Sequence, residues 1–312
     1  MSSLVTVYRW DDVGAPQLDG TSGAFINVLK KCLVDGYGSK SPLGWSLEFD
    51  NPSIGKAVFK NSPVTGSGGF FQIWSSTGLP NSVNTYFNIK AAVGMTDFDT
   101  YVNPSYQAIM YNNSFNTRWV IVGTDRGFYI QALDNRYTDY TYYYSNVWFV
   151  GDIKSYIPND AGQFLLLGGE LNYDDTSASE TDSITWISQN RILNKVYDVD
   201  GNPGNTIYKL PFVLNVSTTP QTNTLDVTTP VMMQKCIMAL VSSDKDRDNI
   251  SVTISETRPQ IRGELVGFIK SNLVCRPTVS WPMIVPIDGV DHIGFAHKYG
   301  VECWINTEVW YD

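Results

Sequence analysis

The chain has 312 residues, with 22 Lys and Arg against 31 Asp and Glu, a formal net charge of −9 at pH 7, and 13% of its residues aromatic. That length allows two modest domains or one large one, with a core that needs neither disulfides nor a metal. The acidic balance, with Lys30-Lys31 as the longest basic feature, argues against a nucleic-acid-binding surface, because phosphate contacts need clustered Lys and Arg. No apolar run reaches the roughly eighteen residues of a membrane span.

From Gly23 to Leu33 the apolar positions Phe25, Ile26, Val28, Leu29, Cys32 and Leu33 form the stripe of an amphipathic helix. Thr21 or Ser22 caps its start, Gly36 suits its end, and Gly38 and Pro42 forbid continuation. One short helix cannot bury its stripe alone, so it must lie on a sheet. Runs of β-branched and aromatic residues bounded by turn formers predict strands over Lys56–Lys60, Gly69–Trp74, Tyr86–Val93, Trp119–Gly123, Gly127–Ala132 and Asn146–Val150. Thr124-Asp125-Arg126-Gly127 reads as a tight hairpin turn. The stretch from Tyr137 to Tyr144, with Tyr137, Tyr140, Tyr142, Tyr143 and Tyr144, is too polar for a core strand and suits an edge or a contact surface. A polar, acidic stretch over residues 171–182 marks a loop or linker, and further strands are expected over 183–187, 206–210, 232–242, 250–255, 263–268 and 300–310. The expected class is mainly β (α+β): short strands in antiparallel sheets or sandwich-like domains, with one N-terminal helix packed on a sheet. The division expected is a helix-plus-sheet domain over 1–170 and a β-rich domain over 171–312.

Chemistry-bearing patterns are sparse. The four cysteines, Cys32, Cys236, Cys275 and Cys303, are far apart and read as reduced thiols. His292 and His297 lack the spacing of a zinc helix. Asp244-Lys245-Asp246-Arg247-Asp248-Asn249 starts like a calcium loop but puts Asn249 at the glycine position and Ser255 where a bidentate Glu belongs; Asp198–Asn202 reads the same way. Gly66-Ser67-Gly68-Gly69 is a flexible turn and not a nucleophile elbow. Asp11 and Asp12 are adjacent, so on an extended segment they face opposite sides. The three Asn-x-Ser triplets, at Asn112, Asn215 and Asn249, are read as accidental. No catalytic residue, cofactor or metal site is expected, and Met1–Tyr8 lacks the pattern of a secretory leader.

The opening Val7-Tyr8-Arg9-Trp10-Asp11-Asp12-Val13-Gly14-Ala15-Pro16-Gln17-Leu18, followed by Gly36-Tyr37-Gly38-Ser39-Lys40 and Gly44-Trp45, resembles a family of structural proteins from the virions of tailed bacteriophages. Further fragments follow in the same order: Gly94-Met95-Thr96-Asp97, the Trp119-containing hairpin, Phe149-Val150-Gly151-Asp152 with the downstream Asp160, and Arg262-Gly263-Glu264-Leu265-Val266-Gly267-Phe268. Val150 is an insertion relative to the family pattern, and Val266 stands where a proline is usual. The resemblance implies a non-enzymatic virion component, made in the host bacterial cytoplasm and assembled in the tail, baseplate or head. Its partners would be other virion proteins and copies of itself. Within the opening motif, Trp10 and Trp45 are expected to cover the helix or seal the sheet, with Phe25 and Leu29 in the core. The alternative is a receptor- or glycan-binding β module using the tyrosine cluster. A glycan-cleaving enzyme would need two opposed carboxylates that no motif singles out.

Overall fold

The computed structural model describes residues 3–136, 146–168, 233–239, 244–245, 251–252, 261–275, 281–297 and 300–312. The expected tyrosine cluster, the 171–182 linker and the strands over 183–187 and 206–210 lie outside them. What is described is mainly β, with antiparallel sheets and a single α-helix.

The chain opens with β1 (Ser3–Leu4) and β2 (Thr6–Arg9) and enters α1 (Ser22–Lys30). The Thr21 hydroxyl accepts the Ala24 N–H and caps the helix. The last turn, Lys31–Asp35, widens to a π-helical turn, with the Gly36 N–H donating to the Lys31 carbonyl at 2.8 Å. All six stripe residues are buried.

A five-stranded meander follows: β3 (Ser46–Asn51), β4 (Lys56–Lys60), β5 (Phe70–Ser75), β6 (Thr85–Asp97) and β7 (Thr100–Asn112), paired in that order. The next strands are β8 (Asn116–Gly123), β9 (Gly127–Asp134), β10 (Asn146–Asp152), β11 (Lys154–Ser155) and β12 (Phe164–Leu167). Four of these join β2 in a second sheet, ordered β12-β10-β9-β8-β2. Later come β13 (Met233–Ala239), β14 (Asp244–Lys245), β15 (Ser251–Val252), β16 (Ile261–Cys275), β17 (Met283–Ile287), β18 (Val290–His297), β19 (Gly300–Asn306) and β20 (Val309–Trp310). They build a third sheet, β11-β16-β19-β18-β17 with β13 on β16, while β1 pairs with β20 and β14 with β15.

The second sheet is the middle layer. Side chains alternate across a strand, and here both sets are apolar. Trp119, Ile121, Phe128, Ile130, Trp148, Val150, Phe164 and Leu166 pack with α1 and with Phe59, Phe71, Ile73, Phe87 and Ile89 of the meander. Their neighbours Val120, Val122, Tyr129, Val147, Phe149, Leu165 and Leu167 pack against Leu265, Phe268, Ile293, Phe295 and Trp304 of the third sheet. The core between these two layers thus draws on residues from both sides of residue 170.

Strand β4 keeps its expected bounds, and the Thr124 N–H donates to the Gly127 carbonyl to close the expected hairpin at 2.8 Å. The strands that were not anticipated include β2, β3, β7, β12, β17 and β18. In β7 the turn formers Asn103 and Pro104 interrupt the pattern; the strand absorbs them at the edge of its sheet, with Asn103 at φ +49° and a register shift opposite Lys90–Ala92. Strand β12 is a leucine run without the β-branched signature.

Gly267 has φ +62°, and a Cβ there would lie 2.1 Å from Nε1 of the buried Trp310. Gly78 has a similar φ of +69° in open space. Gly78→Ala should therefore cost only the left-handed strain, about 1–2 kcal/mol. Gly267→Ala should cost about 3 kcal/mol or more, because Trp310 must also move. Thermal melts of the two variants check the difference.

Candidate functional site

The two halves of the opening motif meet at Asp12. Its Oδ2 accepts the Arg9 backbone N–H and the Tyr37 hydroxyl, both at 2.8 Å, with Lys40 Nζ 3.8 Å away. Lys40 also donates to the Val7 carbonyl at 2.8 Å, and the Tyr8 hydroxyl donates to the Ser41 carbonyl. Burial, reinforced for Tyr37 by its bond to Asp12, pushes both phenols far above their ordinary range. Gly38 (φ +54°) permits the contact, since a Cβ would lie 2.3 Å from the Val13 carbonyl oxygen. Asp11 faces away and pairs with the Arg9 guanidinium at 2.7–2.8 Å. Asp12 thus ties the turn after β2 to the loop after α1.

The singled-out aromatics join layers. Trp10, half-buried against both cores, stacks on Trp281 with ring centroids 5.3 Å apart, and the Trp281 indole donates to Gln131 Oε1 in the middle sheet. The Trp45 indole donates to the Thr124 carbonyl at 3.0 Å, and its ring meets Phe71 and Phe128 edge-on from opposite sheets. Phe25 packs on Phe87 of the meander and Trp148 of the middle sheet. Leu29 is buried beside them.

The fragments further along the chain converge on a second junction. Asp160 and Arg262 are both fully buried and form a two-pronged pair at 2.8 and 2.6 Å. The Ser155 hydroxyl and the Gly162 N–H complete the carboxylate's partners at 2.7 and 3.0 Å. Two residues along β16, Glu264 lies between Lys154 (3.2 Å) and Lys235 (3.3 Å) and accepts the Tyr156 hydroxyl. This carboxylate lines a cavity of about 390 Å³ between β16, β18 and β20 that also includes His292 and Trp310. His292 Nδ1 lies 2.9 Å from the Val290 carbonyl.

Asp152, buried at the end of β10, organises a third junction. It accepts the Ser67 N–H at 2.9 Å and the Ser67 hydroxyl at 2.5 Å, and Arg126 Nε lies 3.6 Å away. The Tyr311 hydroxyl donates to the Asp152 carbonyl, and its ring stacks 3.7 Å from the Arg126 guanidinium. The Gly66–Gly69 turn, expected to be flexible, is therefore pinned. A Cβ on Gly69 would also overlap the Phe164 ring at 2.2 Å. Burial raises the Asp152 carboxyl above its ordinary range, outweighing the lowering by Ser67, Arg126 and Asn61.

Cys32, Cys236 and Cys303 are buried thiols. Among the described residues no group of three His, Cys, Asp or Glu side chains could hold a metal ion. Of the calcium-loop candidate only Asp244 and Lys245 are described, in β14. The side chains of Cys275 and His297, the Asp198–Asn202 stretch and the tyrosine cluster lie outside the description. Residues that sequence reasoning left without a role, namely Ser67, Arg126, Asp160 and Arg262, prove to be the partners that satisfy buried charge. The available signal was an Arg set inside the apolar run of β16, which folding buries only with a partner.

Removing one member of the buried pair, by Asp160→Ala or Arg262→Ala, should destabilise the fold by about 3–5 kcal/mol, and replacing both with apolar residues should cost much less; denaturant titration separates these outcomes. The raised carboxyl of Asp152 has a definite pH signature. The folded state holds this proton more tightly than the unfolded chain, so the stability it contributes is full below the ordinary carboxylate value. That contribution is lost as pH rises through the raised value. The wild-type melting temperature should therefore fall relative to that of Asp152→Asn as pH rises from about 4 to 7, and a constant difference would contradict the assignment.

No protein-family model matches the chain, and no curated protein matches it in sequence.

Proposed function

We propose that this chain is a non-enzymatic structural subunit of a tailed-bacteriophage particle, working through interfaces with copies of itself and with other virion proteins. The observation that carries the reading is the use made of the segments that resemble the phage family. Tyr8–Asp12 and Tyr37–Lys40 lock onto each other through Asp12. Asp160 and Arg262, from the two later segments, close a buried ion pair. Gly38, Gly151, Gly263 and Gly267 all sit where a Cβ would meet backbone or a core ring. What the resemblance shares is thus the framework of a scaffold, with the carboxylates committed to holding loops and layers together. The acidic balance supports solubility at the high local concentrations that precede assembly. Within the particle we favour the tail or baseplate over the head surface.

Purified particles separated into heads and tails, with this chain quantified by mass spectrometry in each, test the reading. Fixed stoichiometry in one fraction is the expected result. Absence from both overturns it.

A further inference from the structure

A sheet ends in strands whose outer N–H and C=O groups can pair with any extended chain that approaches, and stable proteins blunt such edges with charge, proline or shortness. Most outermost strands here follow that rule. Strand β2 has four residues and carries Arg9, β12 has four buried residues, and β3 has six with Glu48, Asp50 and then Pro52. Strand β17 has five residues and contains Pro286, while β13 has seven and carries Lys235.

Among the described outermost strands β7 is the exception. It is the terminal strand of the meander, it is 13 residues long, and Thr100–Asn112 contains no Asp, Glu, Lys or Arg. Its one proline, Pro104, sits near the start, so Ser105–Asn112 runs on with neither proline, glycine nor charge. Within that run Ala108 and Met110 point into the core, and Gln107 and Ile109 lie half-buried on the outer face. Among the described residues no strand pairs with its outer edge.

We propose that β7 is a self-association edge, which pairs antiparallel with β7 of a second copy and continues the meander sheet across a two-fold axis; this rests on the structural-subunit reading and names one of its interfaces. The occupant follows from charge and symmetry. A chain of net charge −9 repels its own copies over most of its surface, but along this strand two copies meet with no like charges opposed. Antiparallel pairing of one strand with itself is self-complementary, as a two-fold interface requires. The flanks agree. Val102 near the start of β7 is 49% exposed and Phe115 just beyond its end is 41% exposed. Antiparallel pairing brings each of these towards the other in the second copy. In the same register Asn112–Phe115 lies opposite residues 103–106, so no acidic side chain of one copy faces an acidic side chain of the other along the strand. A ladder along the strand spans about 40 Å at roughly 3.4 Å per residue.

The test is the mass of the full-length chain in solution, measured by light scattering on a sizing column. The wild type should be a dimer, and Ile109→Lys and Ile109→Glu should each weaken association by about tenfold or more. Mixing the two variants should restore the dimer, because opposite charges then face each other. A wild type that stays monomeric at about 100 µM, or a dimer that neither variant disturbs, overturns the proposal. Should either variant fail to fold, hydrogen exchange on the wild type decides. Protection of residues 105–112 should rise with protein concentration, and protection independent of concentration overturns the proposal by assigning the edge to this chain's own residues. Neither result depends on where the chain resides in the particle, so this proposal and the structural-subunit reading can fail separately.

Discussion

Burial of the middle sheet on both faces is the constraint from which the rest of the structure follows. An antiparallel sheet commonly turns one face to water, but here β8, β9, β10 and β12 are apolar on both. Tyr129 and Phe149 face one way while Phe128, Ile130 and Trp148 face the other. Such a sheet is stable only when covered twice. The meander and α1 supply one cover and the third sheet supplies the other. Segments from both ends of the described residues are drawn in as well, with β2 pairing at the sheet's edge, and Trp310 and Tyr311 buried in the core on the far side.

A doubly covered sheet has an electrostatic consequence at its ends. Where strands stop, polar backbone and charged side chains meet the margins of a low-dielectric core, and each must find a partner. Asp152 at the end of β10 takes Ser67 and Arg126, Asp160 before β12 takes Arg262, and Asp12 after β2 takes Tyr37 and Lys40. These carboxylates behave as fasteners. Each joins segments far apart in the chain, and the separation of 102 residues between Asp160 and Arg262 shows how far one can reach.

Local periodicity carried much of this. The α1 stripe from Phe25 to Leu33 is buried throughout, Thr21 caps it and Gly36 ends it, because these features depend on residues within a few positions of each other. Strands β4, β8 and β9 were legible for the same reason. Strand β7 was hidden by Asn103 and Pro104, which read as a turn until an edge strand is available to hold them. The continuous apolar runs of the middle sheet reveal burial, but not which cover lies on which face. The fasteners were legible only as residue types. Nothing near Asp152 announces Ser67, and nothing near Arg262 announces Asp160, since tertiary contact alone brings them together. Trp45, Phe25 and Leu29 are buried, as large apolar side chains tend to be, whereas Trp10 is only half-buried and its stacking on Trp281 has no local signal.

The most direct test of the account is native-state hydrogen exchange resolved by strand. If the middle sheet is the element on which the others depend, amides of β8, β9 and β10 should exchange only through global unfolding, with the meander's outer strands and the third sheet's edge opening earlier. Exchange of β8–β10 ahead of either covering sheet would contradict it, and would mean that the layers stand independently of the sheet between them.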